Sequence, residues 1–378
     1  MALDSLRLTR FRNHAASELS GAGRFNLLTG ENGAGKTNVL EAISLFAPGR
    51  GLRRGALAEM AMHDTAGGFA VSALLNRRDA AEPVRIGTGT QAQRPGRRLV
   101  RANGAETAAS ALSEWLGLFW LTPAMDRLFA EGAGARRRFL DRLVLALEPA
   151  HARAVAAQDT ALSERHALLA RDRPEPAWLD AVEDAIARHA VAVTAARVSL
   201  LARLNAALAA GAAGAFPPAR ATLSGAIAER LAAYPALAVE EWLRAALAGV
   251  RARDAAAGGT RLSAQRADLV VTDAATGLAA ADASTGQQKA LLIGIILGHA
   301  ALLAATRGES PLLLLDEAAV HLDVSRRSAL FAALAGLDAP VLLTGTDRET
   351  FLPLSGLAEG LAIGDGRLQP DADFPTPP

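Results

Sequence analysis

The sequence predicts an α/β fold: a mixed sheet around a central helix, interrupted by an inserted α-helical lobe. Three observations predict it. A glycine-rich turn, GENGAGKT at Gly30–Thr37, follows a short strand and opens a helix. A fully apolar run, Leu312–Leu315, ends in Asp316 and Glu317, the pattern of a strand covered on both faces. Between them, from about Gly134, the apolar period changes to three and four. Lys36 and Asp316 lie 280 residues apart, far more than one such core requires, so the helical block divides a single sheet into two halves. The expected boundaries are 1–124 for the first half, 125–258 for the helical lobe and 259–378 for the second half.

The elements follow in order. Alternating runs at Ser5–Arg10 and Phe25–Thr29 read as strands, the second ending in the glycine-rich turn. Thr37–Phe46 reads as a helix. FAVSALLN, VRIGTG and RRLVRANG are short strands bounded by turn residues, and Leu118–Thr122 is another, stopped by Pro123. In the middle block Leu140, Leu143, Val144, Leu147, Val155 and Leu162 carry one helix, and Val182, Ile186, Val193, Leu200 and Leu204 a second. Pro174 and Pro176 separate them, and both are too short for a long coiled-coil arm. A strand at Asp268–Thr272, a long apolar helix from about Thr285, and strands at Pro311–Leu315 and Val341–Leu343 follow. The tail, PDADFPTPP, is expected to fray.

Composition narrows the function. Apolar residues make up 51% of the 378, enough for packed cores and too many for a disordered chain. The absence of cysteine excludes disulfide frameworks, thiolate zinc sites and cysteine nucleophiles, and the seven histidines show no metal-ligand spacing. The opening MALDSLRLTRFRNH has no charged leader before an apolar core. The longest apolar run, Ala290–Ala305, falls short of the roughly 20 residues a bilayer span needs. A cytoplasmic protein without membrane association is expected. The net charge of +1 hides an asymmetry: residues 1–104 carry +7 and the remainder −6. A basic first lobe points to a polyanionic partner. Its basic residues are 38 Arg and two Lys, and both lysines, Lys36 and Lys289, fall inside motifs.

GENGAGKT matches G-x-x-x-x-G-K-[ST] in the setting this loop requires. Backbone N–H groups along Gly30, Glu31, Asn32, Gly33, Ala34 and Gly35 would turn inward around phosphate oxygens. Glycine at 33 and 35 removes Cβ atoms that would obstruct them. The following helix adds positive potential at its N-terminus. Lys36 can place its charge between β- and γ-phosphates, the Thr37 hydroxyl can ligate Mg²⁺, and Asn38 continues the motif. ATP and Mg²⁺ are the expected ligands.

Asp316 and Glu317 stand at the carboxyl end of a buried strand, where ligands sit in parallel α/β sheets. Asp316 would hold Mg²⁺ or its water, and Glu317 would take a proton from the attacking water. Lys36 and Glu317 are therefore the candidate catalytic residues. A strand followed by an acidic helix cap is the plainer alternative, which a phosphate loop in the same chain disfavours.

ASTGQQKALLIGIILGHA, Ala283–Ala300, opens the long helix. Ser284 with Gln287 three residues later is a capping box. The same residues, just upstream of the carboxylate strand, resemble the signature motif of ABC-type ATPases. That resemblance implies that Ser284, Gly286 and Gln287 reach the γ-phosphate of a nucleotide held by a second subunit, and Asp323 then resembles the D-loop. Where ABC enzymes usually carry a switch histidine, this chain has TGTD, Thr344–Asp347. Thr346 can orient a γ-phosphate but cannot take up a proton near neutral pH, so slow hydrolysis is expected.

Longer segments widen the resemblance. LRLTRFRNH (Leu6–His14), GENGAGKTNVLEAISLFAPGRGLRR (Gly30–Arg54), LTPAMDRLF with ARRRFLDRLV (Leu121–Val144), ASTGQQKALLIG and LLLLDEAAVHLD together resemble the RecF family of bacterial recombination and gap-repair ATPases. The resemblance runs over nearly the whole chain. It implies an ABC/SMC-like head, ATP-dependent homodimerisation on double-stranded or gapped DNA, and weak Mg²⁺-dependent ATPase activity. It also implies work with RecR and RecO in loading RecA, in repair, replication restart and SOS induction. Arg12 and Asn13 match the family's nucleotide-proximal start. Two places depart from the family: its GPHR-type element stands here as LSAQRADL, Leu262–Leu269, and Ala124 replaces the acidic residue expected after Pro123.

Arg50, Arg53 and Arg54 form one arginine cluster, and Arg94, Arg97, Arg98 and Arg101 another. Both suit contacts to DNA phosphates, which position without reading sequence. A solvated arginine face in an arginine-rich chain is the alternative. Arg136, Arg137 and Arg138 open a helix and are assigned to pairing between lobes, with DNA as the second reading. One Tyr and four Trp argue against a base-stacking platform for single strands. The competing function is the ATP-hydrolysing subunit of a membrane transporter; the helical insertion, the missing switch histidine and the basic first lobe stand against it.

Overall fold

A computed structural model describes the chain except for residues 1, 22, 64–66, 77–81, 173, 321, 365, 372–373 and 375–378. Two compact units divide it. The first comprises Met1–Asp126, Ala212–Phe216 and Leu292–Pro378, and the second Arg127–Gly211 and Pro217–Leu291.

The first unit opens with β1 (Ala2–Phe11), β2 (His14–Ser20), β3 (Phe25–Thr29) and α1 (Lys36–Ser44). Then come β4 (Phe69–Asn76), β5 (Val84–Gln91), β6 (Arg94–Ala102), β7 (Ala105–Glu106) and β8 (Leu118–Leu121). The second unit contributes α2 (Ala133–Leu147), α3 (His151–Leu169), α4 (Pro176–Ala209), β9 (Ala219–Ser224), α5 (Ala226–Leu231), α6 (Ala236–Gly249), α7 (Arg251–Ala257) and β10 (Asp268–Asp273). Helix α8 (Thr285–Arg307) begins in that unit and returns the chain to the first, which ends with β11 (Leu312–Leu315), α9 (Val324–Gly336), β12 (Val341–Gly345), β13 (Ala358–Gly364) and β14 (Arg367–Pro370).

Two sheets enclose α1. An antiparallel sheet runs β2-β1-β4-β5-β6-β7, and a mixed sheet runs β14-β13-β3-β12-β11-β8, parallel except at β14. β4 buries alternate residues, as a strand with one covered face must. β3, β8, β11 and β12 are buried throughout, and β8 and β11 accordingly read as continuous apolar runs. Helix α1 packs on β1 of one sheet and on β8 and β12 of the other. Its Val39, Leu40 and Ile43 share one core with Phe11 and Phe69 from the first sheet and Leu28, Leu314 and Leu342 from the second. The mixed sheet with a central helix is thus the predicted fold class.

Several expectations change. The single helix read over Leu140–Leu162 is two, α2 and α3, because Pro149 lacks an N–H and forces Glu148 out of helical geometry (φ −127°, ψ 85°). Pro176 does not merely separate helices; it occupies the first turn of α4, where its missing donor costs nothing. That helix has 34 residues and is about 51 Å long, longer than the periodicity suggests. Residues 259–291, assigned to the second half of the sheet, pack in the second unit, since β10 pairs along its whole length with β9. By length and composition both α4 and α8 could cross a membrane, which the run Ala290–Ala305 does not reveal. The most apolar stretch of α8 is 72% buried within the protein, the pattern of a core helix. In the tail Asp371 and Phe374 are buried, contrary to fraying; 372–373 and 375–378 lie outside the described residues.

Candidate functional site

Strand β3 ends at Thr29 and the chain turns through Gly30–Gly35 into α1. The two glycines singled out in this turn are required for different reasons. Gly33 sits at φ 84°, a region that L side chains rarely adopt. Gly35 sits at φ 116°, and a Cβ there would stand 2.7 Å from both amide atoms of Asn13 and 2.8 Å from His14 Nε2. Lys36 folds back over the loop, donating from Nζ to the carbonyls of Gly30 (2.7 Å) and Glu31 (2.8 Å). Burial lowers its pKa, and the nearby Glu317 and Asp316 carboxylates oppose that shift.

The carboxylates meet the loop from β11. Thr37 Oγ1 donates to Asp316 Oδ1 at 2.9 Å. A second hydroxyl, Thr344 Oγ1 at the end of β12, donates to the same oxygen at 2.9 Å and accepts from the Glu317 N–H at 2.9 Å. Glu317 has φ 49°, a left-handed backbone that bends the chain off the strand and lets one threonine bind two consecutive residues. Sequence reasoning points to Thr346, which is exposed, and misses Thr344. The signal that could find it is register: β12 lies parallel and adjacent to β11, with Leu315 opposite Leu343.

Asn13 binds the loop directly, whereas Arg12 binds the helix that follows it. Asn13 Nδ2 donates to the Ala34 carbonyl at 2.8 Å, and Asn38 Nδ2 donates to Asn13 Oδ1 at 2.7 Å. Arg12 forks onto the fully buried Glu41, from Nε to Oε2 at 3.0 Å and from Nη2 to Oε1 at 2.8 Å. Arg53 joins both groups, at 2.6 Å to Asn38 Oδ1 and 3.3 Å to Glu41 Oε2. This arginine is thereby tied to the loop's surroundings, with its side chain 44% exposed. Beneath the loop, His14 is fully buried, with Nδ1 2.9 Å from Ser17 Oγ and Nε2 3.3 Å from the Gly35 carbonyl. Burial lowers its pKa. Glu41 and His14 lie inside the segments that carry the family resemblance, but no motif there assigns either a role.

The remaining candidates lie apart from this cluster or in the other unit. Ser284, Gly286 and Gln287 belong to the second unit. The capping box forms: the Ser284 N–H donates to Gln287 Oε1 at 3.0 Å, and the Gln287 N–H donates to Ser284 Oγ at 3.4 Å. Asp323 caps α9 by accepting from the Arg326 N–H at 2.8 Å. Arg50, Arg54, Arg94, Arg97 and Arg101 are exposed, and Arg97 faces Glu106 at 3.7 Å. Arg98 departs from its cluster. Its guanidinium donates to the carbonyls of Leu45, Ala47 and Gly49 and to Thr88 Oγ1, closing the turn after α1. Burial lowers its pKa to about 10, and each of its guanidinium nitrogens already donates within the protein. Arg136 pairs with Asp268 through two bonds, 2.8 and 2.7 Å, within the second unit.

The chain resembles known proteins over nearly its whole length. The family profile for the RecF/RecN/SMC N-terminal domain matches residues 2–351. The chain is 46% identical to the DNA replication and repair protein RecF of Mesorhizobium japonicum over 376 residues, covering 98% of both chains. It is 44% identical to that of Rhizobium meliloti, covering 97% of this chain and 98% of the relative. Among solved structures, RecF-ATPrS of the RecFOR pathway superposes with a TM-score of 0.85 at 21% identity, over 98% of each chain. The Smc head domain from Pyrococcus furiosus gives 0.55 at 13% identity, over 97% of this chain and 95% of the other. At such identities the two structures speak for the fold. The chain belongs to the RecF family and has its SMC-head-like architecture.

Proposed function

We propose that this protein is a DNA-binding ATPase that holds ATP in the Gly30–Thr37 loop, dimerises with it, and acts on double-stranded or gapped DNA in recombinational repair. The observation that carries the reading is the 2.9 Å bond from Thr37 to Asp316, which sets a hydroxyl and a carboxylate side by side at the mouth of the glycine loop. These are hard oxygen donors and suit Mg²⁺, which when bound would neutralise phosphate charge. Lys36 supplies a positive charge to the same phosphates once it exchanges its two carbonyl partners for them. Glu317, fixed through its N–H by Thr344, takes the proton from the attacking water. Asn13, held on Ala34 and Asn38, keeps the loop's outer wall in place.

The helix start at Ser284, Gly286 and Gln287 of a second copy completes the enclosure of the γ-phosphate, with Asp323 beside it. Thr346 offers a hydroxyl but no titrating group, so turnover is slow and ATP works as a timer. Exposed Arg50, Arg54, Arg97 and Arg101 meet DNA phosphates. The names of the relatives and of the RecFOR-pathway neighbour support the repair role, and we extend it to loading RecA with RecR and RecO, to SOS induction and to a cytoplasmic location. The transporter alternative loses its ground, because the chain belongs to the RecF family.

The test is oligomer mass and duplex-DNA binding on one sample, with and without ATP. ATP should raise both together. Full turnover by a monomer at high dilution would overturn the scheme.

A further inference from the structure

The second unit contains a solvent-open cavity of about 980 Å³ between α2, α3 and the segment 259–266. Part of its wall is Gln265 and Arg266, from the LSAQRADL element that departs from the family pattern. Its charge is unbalanced. Arg197 and Asp141 neutralise each other through two bonds of 2.8 Å. Asp159 accepts from Gln265 at 2.6 Å and keeps its charge, so the lining sets four guanidinium groups against two carboxylates. Three more guanidinium groups line the space. Arg138 makes no hydrogen bond or ion pair among the described residues, Arg266 makes one long bond of 3.4 Å to the Thr260 carbonyl, and Arg137 gives one N–H to the Ala267 carbonyl at 2.8 Å. Burial lowers the pKa of Arg137, with Arg197 and Arg138 adding to the shift and the Asp268 and Asp141 carboxylates opposing it, so an anion entering here would favour its charged form.

A second feature faces the same space. Gln158 is 2% exposed, lines the cavity, and its Oε1 has no hydrogen-bond partner. A buried amide oxygen left this way needs a donor, and water or a ligand must bring it. Three cations beside one lone acceptor define the ligand's chemistry.

We infer that the cavity binds a phosphate-bearing ligand, its phosphate groups on Arg137, Arg138 and Arg266 and one of its N–H or O–H groups donated to Gln158. The volume suits a compound of nucleotide size. Free phosphate compounds and the end of a nucleic-acid backbone share this chemistry. The inference does not rest on the nucleotide reading of the glycine loop, since every residue involved lies in the other unit.

Calorimetric titration of the full chain with inorganic pyrophosphate tests it, in a Lys36→Met background that removes the glycine loop as a competitor. Pyrophosphate should still bind, and Arg138→Gln with Arg266→Gln should weaken it about tenfold or more. Gln158→Glu, which places a third carboxylate in the cavity beside Asp141 and Asp159, should weaken it likewise. Should Lys36→Met fail to fold, the loss of one of two binding events in an otherwise unaltered chain carrying the arginine changes is the same readout. A parallel titration with a short blunt duplex distinguishes the sources: if the arginine changes weaken the duplex and not pyrophosphate, the backbone of nucleic acid is the ligand. If neither probe responds to the arginine changes, the inference is overturned.

Discussion

Thr37 and Asp316 share a 2.9 Å hydrogen bond although 279 positions separate them in the chain. The bond ties the first turn of α1 to the end of β11, and Thr344 adds a third group to the same carboxylate oxygen. Thr344→Val removes a hydroxyl bonded to two neighbours in a buried setting. It should lower stability by about 1–3 kcal/mol and reduce kcat for ATP more than it raises KM, with Thr344→Ser restoring both. Thermal unfolding together with steady-state kinetics checks this.

Lys36→Met removes the ammonium that now bridges Gly30 and Glu31. ATP binding and ATP-dependent association should both disappear. Size-exclusion runs with ATP read the outcome directly, and an unchanged dimer peak would count against the glycine loop as the nucleotide site.

Glu317→Gln keeps the main-chain bond to Thr344 while removing the proton acceptor. Hydrolysis should fall about 10²–10⁴-fold, with ATP affinity retained and the dimer persisting longer. A variant that hydrolyses at the unaltered rate rules out Glu317 as the base.

Arg50→Gln with Arg54→Gln should flatten the salt dependence of duplex binding by about 0.9 in log–log slope for each DNA phosphate no longer neutralised. Arg98→Gln should instead lower the melting temperature, because it unfastens the carbonyls of Leu45, Ala47 and Gly49. Equal effects of the three changes on the salt slope would return Arg98 to the DNA surface.

His14 gives a pH prediction. Its pKa is lowered in the folded protein, so the unfolded chain binds more protons and stability rises with pH. His14 therefore contributes no loss above its unfolded value near 6.5, and stability falls as pH drops below that value toward the folded one. His14→Gln should flatten the acid side of the melting-temperature profile. A profile of unaltered steepness would mean that other groups carry the acid limb.

Legibility in the sequence depends on distance along the chain. The Gly30–Thr37 turn, the α1 helix and the apolar β11 strand are local patterns, and each stands where its pattern places it. Thr344 is not legible, because its importance arises only when β12 lies beside β11. Arg98 looks like Arg97 and Arg101; what separates it is a turn about 50 residues upstream whose carbonyls its guanidinium binds. Asp371 reads as tail, yet it is buried and accepts from Thr29 Oγ1 at 2.7 Å and Arg348 Nε at 2.9 Å. The break at Pro149 is visible in the sequence but masked, since the apolar period runs straight through it.

The scarcity of lysine has a practical consequence. Lys36 and Lys289, the only two ε-amines in the chain, are 5% and 4% exposed. Amine-directed acylating reagents therefore find almost no lysine side chain to modify on the folded surface. Acylation of Lys36 becomes a footprint of the glycine loop, rising when the loop opens and falling when a ligand covers it, with only Lys289 as a competing side chain.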